Sequence, residues 1–273
     1  MGTFAGFVPQ DSDERKIIEK ITSFKDKDKY SHDLIHFYNL LFDPVRIDGV
    51  EQYEGFYLAT NVLRKEVGLT REGRPGDYDI MFIPYSGDHL FYDRTAVYEV
   101  KIVRPNFKHP NKSLNSLGET QVYGLLKDGF PLVGLLHIVI ADPLLPGQMS
   151  TIRVSKVPAG DGLKPNDPPL PPLEELFEEE PLDWLPWYSV DKQMARLISA
   201  GFPKYVGLDA FSISKNSDGT HSVMTSQEWR GYRSGYFNPN KSKELIECLK
   251  KHFKQYGESR YPGSFERRVE EKL

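Results

Sequence analysis

Three features of the sequence predict an α/β protein with a central mixed sheet flanked by helices. The apolar period changes from 3.6 to 2 after the turn-rich stretch Thr70 to Gly76 (TREGRPG), which marks a passage from helix to strand. Leu114 to Asp128 reads as a helix, with Leu114, Leu117, Gln121 and Leu125 along one line. The run Leu132 to Ala141 that follows is apolar without alternation, as in a strand buried on both faces. Helix, antiparallel meander, helix and buried strand is an ordering that builds an α/β core.

The elements follow in chain order. Ile17, Ile18, Ile21 and Phe24 recur at helical spacing between Asp11 and Lys25, and the polar DKDK of residues 26–29 breaks the pattern. A second helix is predicted over Asp33 to Phe42 and a third over Gly49 to Val67, with Phe56, Leu58, Val62 and Leu63 on its apolar side. Strands are predicted over Asp79 to Pro84, His89 to Tyr92 and Thr95 to Val103. Gly129 supplies a stop for the Leu114 to Asp128 helix. Val157 to Pro186 is rich in proline and glutamate and reads as a surface excursion. A helix over Ser189 to Ala200, a strand over Tyr205 to Ser214 and a helix over Lys241 to Tyr256 complete the chain. This predicts a helical extension over 1–48, a core over 49–215 carrying an insertion at 157–187, and a C-terminal loop and helix over 216–273 packed on the core.

Composition narrows the classes. With 273 residues, 39% apolar and 27% charged, the chain is neither collagen-like nor a disulfide scaffold nor disordered throughout. The longest apolar run, Pro131 to Ala141, is too short for a membrane-spanning helix and contains His137, so no membrane partner is expected. No basic and apolar leader opens the sequence, and the single cysteine, Cys248, forms no intramolecular disulfide; a cytoplasmic setting is the expectation. A net charge of −4 means that a polyanionic partner must be held by a local patch or a metal.

The chemistry concentrates between Gly76 and Gln121. GDYDIMFIP sets Asp77 and Asp79 at the mouth of a strand, and TAVYEVKIV carries Glu99 and Lys101 two residues apart. On a strand, Ala96, Tyr98, Val100 and Ile102 then share one face and Val97, Glu99, Lys101 and Val103 the other, so a Glu and a Lys interrupt an apolar face. Converging carboxylates repel, and a shared proton or a hard cation relieves them; oxygen ligands suit Mg²⁺ or Mn²⁺. A lysine beside such a cation can orient or help deprotonate a water and can stabilise charge on a phosphate oxygen. A Glu-x-Lys pair alone equally describes a solvated ion pair on an edge strand, worth about 0.2–1 kcal/mol. The β-branched strand around Glu99, the preceding Asp79 and the following Gln121 helix favour a site.

GDYDI, then YEVKI, then a helix bearing ETQVYGLL resembles the PD-(D/E)XK nuclease superfamily, over roughly Gln52 to Ala141. The resemblance implies a restriction-endonuclease-like core, with Asp79 and Glu99 binding Mg²⁺ (or Mn²⁺) and Lys101 assisting the attacking water. Gln121 matches a glutamine common on the next helix. An acidic residue on the helix before the meander often joins the metal shell, and Glu54, with Glu51 behind it, takes that place. The family's Pro-Asp pair is absent; Asp79 is chosen over Asp77 because Ile80 and Phe82 then point to the core. The implied activity is metal-dependent hydrolysis of phosphodiester bonds in a nucleic acid, DNA in preference to RNA, with a homodimer open. The alternative is a catalytically inactive nuclease-fold protein that binds or scaffolds.

Substrate phosphates would meet Arg104, Lys108 and Lys112, in the loop between the Glu99 strand and the Gln121 helix, and Arg230 and Arg233, which alternate with aromatics in EWRGYRSGYF. His137 reads as a core histidine and Cys248 as a buried apolar residue.

Overall fold

A computed structural model describes residues 2–4, 13–22, 53–69, 77–114, 116–156, 172, 176–215, 221–225, 231–261 and 264–266. The strands are β1 (Gly2–Phe4), β2 (Gly55–Leu63), β3 (Asp77–Ser86), β4 (His89–Leu90), β5 (Ala96–Val103), β6 (Leu132–Val139), β7 (Ser150–Ser155), β8 (Phe177–Leu182), β9 (Val206–Lys215), β10 (His221–Thr225) and β11 (Ser264–Glu266). The helices are α1 (Glu14–Thr22), α2 (Glu119–Asp128), α3 (Leu185–Ser199) and α4 (Lys243–Arg260).

One mixed sheet runs β1-β10-β9-β6-β5-β3-β2-β11, with β4 at the end of β3. β5, β6 and β9 are parallel, and the other pairs antiparallel. The crossover from β5 to β6 contains α2 and that from β6 to β9 contains α3, because parallel neighbours cannot be joined by a tight turn. Both faces of the sheet are covered. Val97, Val133, Leu135 and Leu208 pack with Val122 and Leu125 of α2, Met194 of α3 and Leu245 of α4. Tyr98, Ile80, Phe82 and Leu136 pack on the other side with Ile17, Ile18 and Ile21 of α1.

The predicted helix over 49–67 is a correction: residues 55–63 form β2, paired along its length with β3. Phe56 and Leu58 enter the α1 side of the core while Ala59 and Val62 enter the other, so the strand is apolar on both faces and has no period of two to read. Its apolar residues match helical spacing by coincidence. The helix predicted to begin at Leu114 begins at Glu119, because Gly118 adopts a left-handed φ of 86° that ends the preceding loop. α3 starts at Leu185, inside the predicted insertion, and β8 of that insertion pairs with β7 as an exposed ribbon. The predicted helix over 33–42 lies outside the described residues. Elements from all three predicted segments share the sheet, since β1, β10 and β11 extend both its edges.

Local chemistry fixes the ends that matter. Asp13 caps α1 by accepting the Lys16 N–H at 2.9 Å. Under α2, the Arg64 guanidinium pairs with Asp128, whose carboxylate also accepts the Tyr78 hydroxyl at 3.3 Å. The side chains of this pair are 11% and 2% exposed.

Candidate active site at the opening between β3 and β5

β3 and β5 are paired only from Ile80↔Tyr98 to Phe82↔Ala96. The next step in that register would set Asp79 against Glu99, and there the ladder stops. Asp79 instead turns its carboxylate into the ladder: Oδ2 accepts the Val100 N–H at 2.7 Å, in place of a backbone carbonyl. On the other flank, Asn61 of β2 has a left-handed φ of 51°, at the step between Thr60↔Ile80 and Val62↔Tyr78. An irregular step in each of two neighbouring strands, at one level, opens the sheet where three charged groups gather.

Glu99 is 5% exposed, and its Oε1 lies 2.5 Å from Lys101 Nζ. The same ammonium is 3.8 Å from Oε1 of Glu14 at the start of α1. Glu99 and Lys101 project on the α2 side, where Gly118 lies directly over them: a Cβ there would meet Leu135 Cδ1 at 2.9 Å and the Cγ atoms of Lys101 and Glu99 at 3.5 and 3.6 Å. α1 packs on the opposite face, so Glu14 reaches Lys101 through the opening. Arg15, paired with Asp77, moors that end of α1 to β3.

Charge is out of balance in this space. Burial, with Glu99 and then Glu14 adding repulsion, raises the Asp79 carboxyl to about 8 against the Val100 hydrogen bond. Glu99 is also raised, by burial, with the Lys101 ammonium opposing. Lys101 is raised above its usual value because Glu99, Glu14 and Asp79 together outweigh its burial. It is therefore an ammonium at neutral pH.

The remaining predicted residues separate into those near this space and those away from it. Gln121 lies in the first turn of α2, and its buried Oε1 meets no donor among the described residues. Glu54 is a correction. Its carboxylate accepts the Ser86 hydroxyl at 3.2 Å and the Gly87 N–H at 2.9 Å, at the far end of β3. Seven residues separate Ser86 from Asp79, roughly 23 Å of strand. Glu14 of α1, and not Glu54, is the acidic residue that reaches Lys101, and misreading β2 as a helix hid this.

Lys108 and Lys112 are exposed on a loop whose backbone is held by α3. Arg196 donates to the carbonyls of Asn111 (2.7 Å) and Lys112 (3.2 Å), and Gln193 to that of Lys112 (2.9 Å). Arg104, half-buried, leaves β5 toward the same loop. Arg233 is a second correction, because its guanidinium is spent on the backbone carbonyls of Phe202, Pro203 and Val206 at 3.0, 3.0 and 3.1 Å. Arg230 lies outside the described residues. His137 is fully buried, with Nε2 at 3.2 Å from the Leu117 carbonyl and Nδ1 at 3.4 Å from Gln193 Oε1; burial pushes its pKa down to about 4 and keeps it neutral. Cys248 is half-buried against the core.

Among the described residues, no three His, Cys, Asp or Glu side chains stand gathered as a metal cage. Mg²⁺ needs no such cage, being held through one or two carboxylates with waters and substrate phosphates. The oxygen donors of Asp79 and Glu99, and the excess of negative charge around them, fit that cation. No helix among the described residues is long and apolar enough to cross a membrane. Comparison of the chain with protein-family models, curated proteins and solved structures finds no match.

Proposed function

We propose that the protein is a metal-dependent nuclease that hydrolyses phosphodiester bonds, DNA in preference to RNA, at the opening between β3 and β5. The observation that supports this reading best is the placement of Asp79 against Glu99 at the end of a broken ladder, with Lys101 on Glu99. Asp79 and Glu99 would hold Mg²⁺ or Mn²⁺, which when bound would polarise a phosphoryl oxygen and lower the pKa of a water. Among the described residues, the order α1, β2-β3-β5 meander, α2, β6 also agrees with the resemblance to PD-(D/E)XK nucleases.

The residues of the chain have separate tasks in this reading. Lys101, held charged by three carboxylates, is no proton acceptor as it stands; it orients a water and stabilises negative charge developing on the phosphate. Gly118 leaves room for the α2 backbone to lie directly over the pair. Lys108 and Lys112, on a loop braced by α3, hold flanking phosphates. Incubation of labelled DNA and RNA with the protein in Mg²⁺, in Mn²⁺ and in excess EDTA tests the proposal. Cleavage with either metal that chelation abolishes is expected; equal cleavage in EDTA overturns it.

A binding protein of the same fold without catalysis is the second reading, and the tight Lys101 to Glu99 contact favours it, since an ammonium already neutralises the carboxylate a metal would use. Calorimetric titration with Mg²⁺ separates the two: a catalytic site takes up the ion through Glu99, and a locked ion pair does not.

A further inference from the structure

We propose a second, non-catalytic contact for single-stranded nucleic acid at the end of the sheet away from the carboxylates, where Tyr236 stacks a base and Lys204, Arg94 and Lys241 meet phosphates. The proposal rests on the polynucleotide reading above and names the strandedness of what is held.

The surface is built from the last residues of EWRGYRSGYF, the segment whose arginines were the sequence candidates. Tyr236 is 66% exposed, with the Lys204 ammonium 5.9 Å from its ring centre. Phe237, its neighbour, has the Arg94 guanidinium at 4.5 Å and the Lys241 ammonium at 5.7 Å. Among the described residues none of these three cations lies within ion-pair reach of a carboxylate. Among the described residues their charge is open to a partner.

The platform is anchored to the core although its ring is in water. Asn238, 2% exposed, donates through Nδ2 to the carbonyls of Leu126 and Phe130, both at 3.0 Å, and through its backbone to that of Pro131 at 2.8 Å. Gly235 lies so close to β9 that a Cβ would come within 2.7 Å of the Gly207 nitrogen. A ring presented without loop motion loses little entropy when a base settles on it. Exposed aromatics interleaved with cations are the recurring means of holding unpaired bases and their phosphates, whereas a duplex keeps its base faces covered.

Fluorescence anisotropy in excess EDTA, with a labelled 20-nucleotide single-stranded DNA, reads this surface apart from any metal. Tyr236→Ala should weaken binding about ten-fold, within the range alanine substitution gives for one stacked base, and Tyr236→Phe should restore it. Lys204→Gln with Lys241→Gln should reduce the logarithmic salt slope by about 1.4, two phosphate contacts on a single strand. Melting temperatures check that the variants fold. A wild-type chain that does not bind the strand overturns the proposal. So does Tyr236→Ala at wild-type affinity, or a 20-base-pair duplex held equally well and weakened equally by Tyr236→Ala. Loss of metal-dependent cleavage with retained Tyr236-dependent binding sinks the nuclease reading alone; cleavage with Tyr236-independent binding sinks this one alone.

Discussion

Replacing Asp79 by asparagine should stabilise the fold at neutral pH and end hydrolysis at the same time. In the unfolded chain the Asp79 carboxyl ionises near 3.8, whereas in the fold burial and the neighbouring Glu99 and Glu14 carry it to about 8. Below pH 4 the group is protonated in both states and the substitution changes little. Between those values the unfolded chain releases a proton that the folded chain keeps, so wild-type stability falls as pH rises through the interval. From 3.8 to 7 this amounts to at most roughly 4 kcal/mol, at about 1.36 kcal/mol per pH unit. Asparagine can still accept the Val100 N–H but buries an amide that finds no assured partner, which offsets part of the gain. The net should be about 1–3 kcal/mol, or a melting temperature roughly 2–6 °C higher at pH 7 to 8. Thermal unfolding of both proteins from pH 4 to 8 measures it, and the difference should grow with pH. An Asp79→Asn protein no more stable than wild type at pH 8 would refute the picture of Asp79 as a strained member of a carboxylate cluster.

Lys101→Ala should lose hydrolysis yet still take up Mg²⁺ in calorimetric titration, whereas Glu99→Ala should lose both; near wild-type turnover by Lys101→Ala would contradict its assigned role. Neutralising Lys108 and Lys112 together should flatten the salt dependence of DNA affinity by about two logarithmic units of slope on a duplex, read from affinities across a salt series. Arg64→Ala removes the guanidinium paired with the buried Asp128 carboxylate beneath α2, and urea unfolding at pH 7 should show a loss of about 3–5 kcal/mol.

Sequence and structure agree where a strand has one distinctive face. Alternation in TAVYEVKIV separates Glu99 and Lys101 from Tyr98 and Val100, and the fold keeps that separation, with Val97 in one core and Tyr98 in the other. Asp79 was legible as an acid near the start of the strand before. What alternation could not convey is that Tyr78 joins the same core as Met81, a break in period that turns Asp79 into the ladder. β2 was misread because both its faces are apolar, and that error carried Glu54 into the site in place of Glu14. Glu14 had a local signal, an Asp-capped helix with three isoleucines on one side, but nothing in a one-dimensional pattern says that such a helix crosses the open end of a strand 85 residues later. Arg233 has the composition of a phosphate contact and the position of a backbone clamp, a distinction that only the carbonyls of Phe202, Pro203 and Val206 can make.

The short pairing of β3 with β5 bears on how the two halves of the molecule communicate. Elsewhere the sheet is a partition, with the α1 apolar cluster on one side and the α2, α3 and α4 cluster on the other. At Asp79 the partition has a doorway, and the groups on its threshold come from both rooms: Glu14 from one, Lys101 and the Gly118 turn from the other. Whatever binds there would touch groups of both layers at once, so its binding energy would be shared between them. A single occupant would in this way stabilise the α1 layer and the α2 layer together.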